Sequence, residues 1–373
     1  MSPQIVKLLD QMVLPVATAS AVATDADGAF PSATVASLRE AGLLGLVTPA
    51  AHGGLGGGVG DAAVVVEHLA RVCASSAMVA CMHYCGAAVV AAHGTPELNR
   101  AIAEGRELAT LAFSEAGSRS HFWAPMGTAS RHGGAVRLDA HKSWVTSARH
   151  ATVIVWSSRP LSAEGASTLW WVPGQARGLS VPSAFDGLGL RGNDSSPMRA
   201  EGVLVPEGHQ LGPDGGGFDI MMGVVLPMFN VLNAATSVGL MEATIQGAAA
   251  HVSGTRYAHL GSSLADLPTI RAYLARARIR ADMSGALLRD TIEAVSTGRA
   301  DAMLRVLEIK AAASEAALGV TSTAMRVCGG AAFRKELGVD RAFRDATAAG
   351  VMAPTSDVLF DFIGKAICGL PLF

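Results

Sequence analysis

A chain of 373 residues with 50% hydrophobic content is long enough to bury a large core and to hold two or three domains packed as one body. Its 29 Lys and Arg against 31 Asp and Glu leave a formal charge of -2, and no basic run or charged tail tracks a phosphate backbone, which argues against a nucleic-acid partner. Mean hydropathy is high at +0.35, yet Gly, His, Arg or Asp break each apolar run before the ~20 residues a bilayer needs, so the surplus apolar surface is expected against another subunit rather than lipid or a membrane surface.

In chain order, the opening MSPQIVKLLDQMVLP sets Asp10 and Gln11 where an export signal needs an unbroken apolar core, so the chain is expected to remain cytoplasmic. From Ile5 to Glu107 the spacing predicts helices: ATVASLREAGLL and DAAVVVEHLARVCASSAMVACMHYCGAAVVAAHG carry long apolar stripes, separated by the glycine-rich AAHGGLGGGVGD. Residues 1–107 are expected to form an N-terminal α-helical domain. Five cysteines, an odd number among apolar neighbours, suit reduced and buried thiols. Cys81 and Cys85 are spaced i, i+4 with His83 nearby, but a single helical face offers too few ligands for a metal, and none is expected.

Between Leu108 and Gly212 the character changes to short β-branched and aromatic runs, ATVIVWSSR, STLWWVP and AEGVLVP, punctuated by Gly, Pro and Ser. Residues 108–212 are expected to form a small, β-barrel-like domain. Two of its segments carry polar chemistry. FSEAGSRSH, 113–121, has the Ser and Gly density of a loop that offers amides and hydroxyls to a ligand; in KSWVTS, 142–147, Trp144 and Thr146 would share a strand face. Alone, each is equally an ordinary turn or strand.

After DGGGFD the helical period returns. Ile270, Leu274, Ala277, Ala281, Gly285 and Leu288 recur at three and four, and the alanine-rich EIKAAASEAALGVTSTAM lets helices approach closely. Residues 213–373 are expected to form a four-helix bundle, which makes the whole chain an α+β multidomain fold in the order α, β, α.

Taken together and in order, these segments resemble the acyl-CoA dehydrogenase superfamily over nearly the whole chain. LREAGLLGLVTPAAHGGLGG and VEHLARVCASSA are similar to the family's N-terminal helices, FSEAGSRS to its Thr-Glu-Pro-Gly-Ala-Gly-Ser loop, and HKSWVTSA to its Gln-Lys-Trp-Ile-Thr-Asn strand. GLGLRGNDSS with VLVPEGHQLG resembles the end of its β domain, and MRVCGGAAF with VDRAFRDA its C-terminal Gly-Gly segment and Arg-Asp-Ala. The resemblance implies FAD as cofactor. Groups around Phe113, Ser114 and Ser120 would hold the flavin ring and pyrophosphate, Trp144 would lie against the ring, and Thr146 would donate to N5. A partner subunit in a homo-oligomer, dimer or tetramer, would complete the nucleotide site through Gly329 and Gly330, with Arg326 where Gln is usual. Arg256, one residue early in TRYAHLG, would reach a phosphate through its long fork, and Thr355, which follows Ala353 and Pro354 in the active-site loop, would also contact the cofactor.

The pattern breaks where the family keeps its base. Counting from Arg344-Asp345-Ala346, the Glu that removes an α-proton corresponds to Ala353, and the alternative Glu of other branches to Phe229; neither accepts a proton. Helix residues that hold the CoA thioester correspond to Pro227 and Asn230, and a loop Asp to His121. The resemblance therefore implies an FAD-dependent oxidoreductase acting at flavin N5 on a CoA thioester or related small acyl substrate, without the usual base. A flavin-dependent oxygenase (monooxygenase) or an elimination enzyme is the alternative, and a non-catalytic FAD-binding protein a third reading. Substitute catalytic residues are Asp357, equally readable as a helix N-cap, and His83 and Tyr84, equally readable as core residues with one satisfied hydrogen bond each.

Overall fold

The computed structural model describes residues 3–372. Six helices come first: α1 (Pro3–Leu8), α2 (Leu14–Ala26), α3 (Ser32–Glu40), α4 (Val59–Ala70), α5 (Ala74–His93) and α6 (Pro96–Ala103). Helix α5 is apolar on all sides and buried along almost its whole length, as such a helix must be. Eight strands follow, β1 (Ala109–Ala112), β2 (Thr128–His132), β3 (Ala135–Val145), β4 (Val153–Ser158), β5 (Thr168–Pro173), β6 (Leu179–Ser180), β7 (Ser196–Pro206) and β8 (Gln210–Leu211). They form two four-stranded sheets, ordered β1-β4-β5-β8 and β2-β3-β7-β6, with β1 parallel to β4. The sheets share one apolar cluster: Ile154, Trp156, Trp170 and Val172 of the first meet Val136, Leu138, Val203 and Val205 of the second.

The chain then returns to helices α7 (Gly217–Ile220), α8 (Leu226–Gly254), α9 (Pro268–Thr297), α10 (Ala302–Cys328), α11 (Val339–Val351) and α12 (Ser356–Ile367). The two helical regions are bound by close backbone approach as well as by packing. A Cβ on Gly239 of α8 would lie 2.1 Å from the Glu67 carbonyl oxygen of α4, so only glycine admits this crossing.

Two sequence expectations need correction. Three helical stretches are long and apolar enough to cross a membrane, Pro3–Ala26, Ala74–His93 and Gly217–Gly254, because single polar residues interrupt a run without lowering its average. The latter two are each 83% buried within the protein and spend that apolar surface on its own core; Pro3–Ala26 is 28% buried. Of the five cysteines, Cys73, Cys81, Cys85 and Cys328 are buried thiols, while Cys368 is exposed beyond the end of α12.

Candidate active site

A cavity of about 750 Å³ lies where the β sheets meet the C-terminal helices. Phe113, Ser114 and Ser120 line it from the loop after β1, Trp144 and Thr146 from the end of β3, Met78 and Met82 from α5, Leu226 and Phe229 from α8, and Thr347, Ala348, Val351, Met352 and Ala353 from α11 and the turn beyond it. Five of the flavin residues expected from the sequence are thus gathered on one wall, and Ala353 and Phe229, the positions expected from the resemblance to stand in place of a carboxylate, face the same space.

The wall that carries these five residues is anchored by a buried ion pair. Lys142 Nζ donates to Glu115 Oε1 at 2.6 Å and to the carbonyl and hydroxyl of Ser157 at 2.8 and 2.9 Å; Glu115 also accepts the amides of Met126 and Gly127. Both side chains are almost wholly removed from solvent. Burial pulls the Lys142 pKa down to about 8 against the attraction of Glu115, which leaves it charged at neutral pH. Glu115 therefore spends its acceptors on the loop that carries Ser114 and Ser120.

Strand β3 places the next pair. Between Lys142 and Val145 it gains one residue over β7, and this bulge turns the Trp144 indole outward, 68% exposed at the cavity, while Thr146 beyond the strand end stays buried. Trp144 and Thr146 meet the cavity through this bulge and turn rather than through plain strand alternation. The Thr146 hydroxyl shares a 3.0 Å hydrogen bond with that of Ser195, which also lines the cavity.

Every non-glycine residue with a left-handed backbone among the described residues lies here. Arg119 and Leu190 line the cavity, Ser147 follows Thr146, and Asp194 precedes Ser195, with φ of 49°, 52°, 59° and 51°. Each costs roughly 1–2 kcal/mol, and such strain concentrates at functional sites. Asp194 holds its turn by accepting from the Arg149 guanidinium and amide and the Ser196 hydroxyl. Asp345 of α11 accepts the Leu190 amide at 2.6 Å, and burial pushes its pKa up to about 6. Sequence reading missed Ser195, Leu190, Glu115 and Lys142 as site-builders; no local signal marks a left-handed leucine, and the other three are recruited by contacts between distant segments.

The substitute catalytic residues lie elsewhere. His83 is fully buried: its Nδ1 accepts the Ala109 amide at 3.0 Å, so Nε2 carries the proton given to the Leu44 carbonyl at 2.8 Å. Burial lowers its pKa to about 4. Tyr84 is equally buried and donates to the Leu43 carbonyl at 2.9 Å. Both are core residues of α5 that tie the first helices together. Asp357 is exposed in the first turn of α12 and does not line the cavity. Nor is it the N-cap, for Thr355 takes that role by accepting the Val358 amide, and Thr355 too is off the cavity lining. Arg256 is exposed and bonds the Gly261 carbonyl of its own turn. Arg326 lies over the Tyr273 ring, 4.7 Å from its centre. Gly329 ends α10 with φ 56° and ψ -137°, a region open essentially to glycine alone, and exposed Gly330 follows it. None of these four lines the cavity of a single chain.

Among the described residues lining the cavity, the ionisable side chains are Glu115, held in its ion pair, and Arg119, exposed and without a carboxylate partner. The donor set fits a flavin. Phe113 and the Trp144 indole provide flat apolar surface, Ser114, Ser120, Thr146 and Ser195 provide hydroxyls, and the Arg119 fork suits a phosphate.

Comparison with known proteins agrees. "Acyl-CoA dehydrogenase, N-terminal domain" matches residues 4–105, the middle domain 110–203 and the C-terminal domain 215–368. Cyclohex-1-ene-1-carbonyl-CoA dehydrogenase of Geobacter metallireducens is 29% identical over 97% of both chains. The mitochondrial short-chain specific acyl-CoA dehydrogenase of Homo sapiens is 28% identical over 91% of this chain and 83% of its own. In fold, butyryl-CoA dehydrogenase of Megasphaera elsdenii superposes with a TM-score of 0.91 at 20% identity, covering 99% of each chain. TdsC of Paenibacillus with FMN and indole superposes at 0.88 and 19% identity, over 100% of this chain and 99% of its own. Three consecutive domain matches that together span nearly the whole chain establish that it belongs to the acyl-CoA dehydrogenase superfamily of FAD-dependent oxidoreductases.

Proposed function

We propose that this chain binds FAD with the ring against Trp144 and Thr146 and oxidises a small acyl substrate, a CoA thioester or a close relative, without a protein base at the reacting carbon. The bound flavin supplies a two-electron acceptor. The chain's own residues bind and orient: Phe113, Trp144 and Thr146 on the cofactor side, and Met78, Met82, Phe229 and Ala353 as an apolar bed for the acyl group. Relatives named for cyclohex-1-ene-1-carbonyl-CoA and short-chain acyl-CoA support a compact acyl group. A homo-oligomer in the cytoplasm, with Arg326, Gly329, Gly330 and Arg256 completing the nucleotide site of a partner subunit, belongs to the same reading.

The observation that carries it is the cavity's ionisable inventory. Its carboxylate is committed to Lys142 and its guanidinium is a permanent cation, so no lining side chain is free to take an α-proton, and in acyl oxidation that proton would pass to water while the flavin takes up the electron pair. The same observation favours a second reading, flavin-dependent oxygenation of a related substrate, which needs no α-proton to be taken by the chain; elimination from an acyl thioester, the other alternative, would need that proton to pass to water. Anaerobic mixing of the FAD-loaded protein with a series of acyl-CoAs separates them. Bleaching of the flavin supports acyl oxidation; no bleaching with any chain length, together with oxygen uptake when reduced flavin or NAD(P)H is supplied, would replace it with oxygenation.

A further inference from the structure

Helix α11 ends at the cavity in a way the local chain cannot close. The last turn of a helix leaves carbonyls without partners, and these are usually met by backbone amides of a glycine-based cap. Here Met352 follows in an extended conformation, and Pro354 has no N–H to give. The carbonyls of Ala349, Met352 and Pro354 instead converge on one group from another helix: Lys310 Nζ of α10 donates to them at 3.0, 3.0 and 2.8 Å. Lys310 is completely buried and makes no salt bridge with any carboxylate among the described residues. As an ammonium it has three donors and no acceptor, one for each carbonyl, and lies at the negative end of α11; burial without a counter-ion pulls its pKa down to about 7, so the three-donor form prevails below that pH. Nζ is also 5.9 Å from the centre of the Phe229 ring, while Asn233 of α8 donates to the Met352 sulfur at 3.4 Å.

We propose that Lys310 is the positioning residue of the cavity's substrate-side wall: its ammonium, behind Phe229, holds the 349–354 turn and thereby fixes where Met352 and Ala353 meet a ligand. A buried charge without a counter-ion is costly, and a merely cohesive role at this helix junction would be met by an apolar side chain. What the ammonium adds is a three-point hold on a turn that has no cap of its own. The functional consequence rests on the reading of this cavity as the acyl site; the hold itself does not.

The test is hydrogen exchange of the FAD-loaded protein with Lys310→Met, which keeps the stem and removes the donors. Exchange at 347–357 is expected to quicken by on the order of tenfold or more, the loss of at least one charge-assisted hydrogen bond, with α8, α9 and the strands unchanged and FAD retained. Lys310→Gln keeps two N–H donors without charge; it should show the same local pattern to a smaller degree, and stands in should K310M not fold. Unchanged exchange at 347–357 in a folded variant, or an equal rise throughout α8 and α10, would overturn the proposal. In parallel, the change in the flavin spectrum on adding butyryl-CoA is expected to weaken in K310M. A wild-type protein that holds FAD but gives no such change counts against the acyl reading alone and leaves the exchange result to decide for or against Lys310.

Discussion

Replacing Lys142 by Met removes the cation from a pair whose members are 0% and 4% exposed. Glu115 would keep the amides of Met126 and Gly127 but face no positive charge. Taking one partner from a buried pair costs about 3–5 kcal/mol, because the remaining charge is stranded in a poorly solvated place. The loss should fall on the loop that carries Ser114 and Ser120, so K142M is expected to lose both stability and FAD. Glu115→Gln should also destabilise, since its single acceptor oxygen cannot serve both Lys142 and the amides of Met126 and Gly127. In the double variant both charges are gone while the glutamine oxygen still accepts an amide, so it should be more stable than the sum of the singles predicts, by about 1–3 kcal/mol of coupling. Urea unfolding followed by tryptophan fluorescence, at fixed protein and FAD concentration, measures the cycle. A K142M loss below about 1 kcal/mol, or strict additivity, would refute the view that this pair anchors the flavin wall.

Trp144→Ala should leave stability within about 0.5 kcal/mol, as an exposed truncation does, but weaken FAD binding in a fluorescence titration; unchanged affinity would remove the indole from the cofactor wall. Ala353→Glu puts a carboxylate on the substrate-side wall, and if a thioester lies there, anaerobic flavin reduction by acyl-CoA should rise by on the order of 10²-fold or more. Asp345 has a folded pKa raised from 3.8 to about 6 by burial, so the folded state binds its proton more tightly than the unfolded chain. Its contribution is full below about pH 4 and is lost as pH rises through about 6. Asp345→Asn, which keeps an acceptor for the Leu190 amide, should remove that decline, on the order of 3 kcal/mol over the window, from the pH dependence of urea midpoints. Gly239→Ala should destabilise by about 1–3 kcal/mol or more by forcing α8 away from the Glu67 carbonyl; a neutral thermal melt would contradict the close crossing.

Much of this site could be read from sequence because its chemistry sits in short segments. Phe113, Ser114, Ser120, Trp144 and Thr146 belong to two motifs whose residue types suit a flavin, and the structure brings all five to one cavity. Ala353 and Phe229 were found by counting from Arg344-Asp345-Ala346 and along α8, and both reach that cavity. What escaped depends on contacts between distant elements. His83 and Tyr84 look available in the sequence, but they meet Leu44 and Leu43 about forty positions away. The Lys142–Glu115 pair spans 27 residues, and Lys310 reaches carbonyls 39 to 44 residues on. The left-handed turns at Leu190 and Ser147 are imposed by the packing of neighbouring elements and leave no compositional trace.

A structure of the protein with FAD and a butyryl-CoA-derived ligand tests the central claim most directly. The flavin ring is predicted against Trp144 and Thr146, the acyl group between Phe229 and Ala353, and no carboxylate, imidazole or amine of the chain within hydrogen-bond reach of the reacting carbons. A ring bound elsewhere, or an ionisable side chain brought onto those carbons, would contradict it.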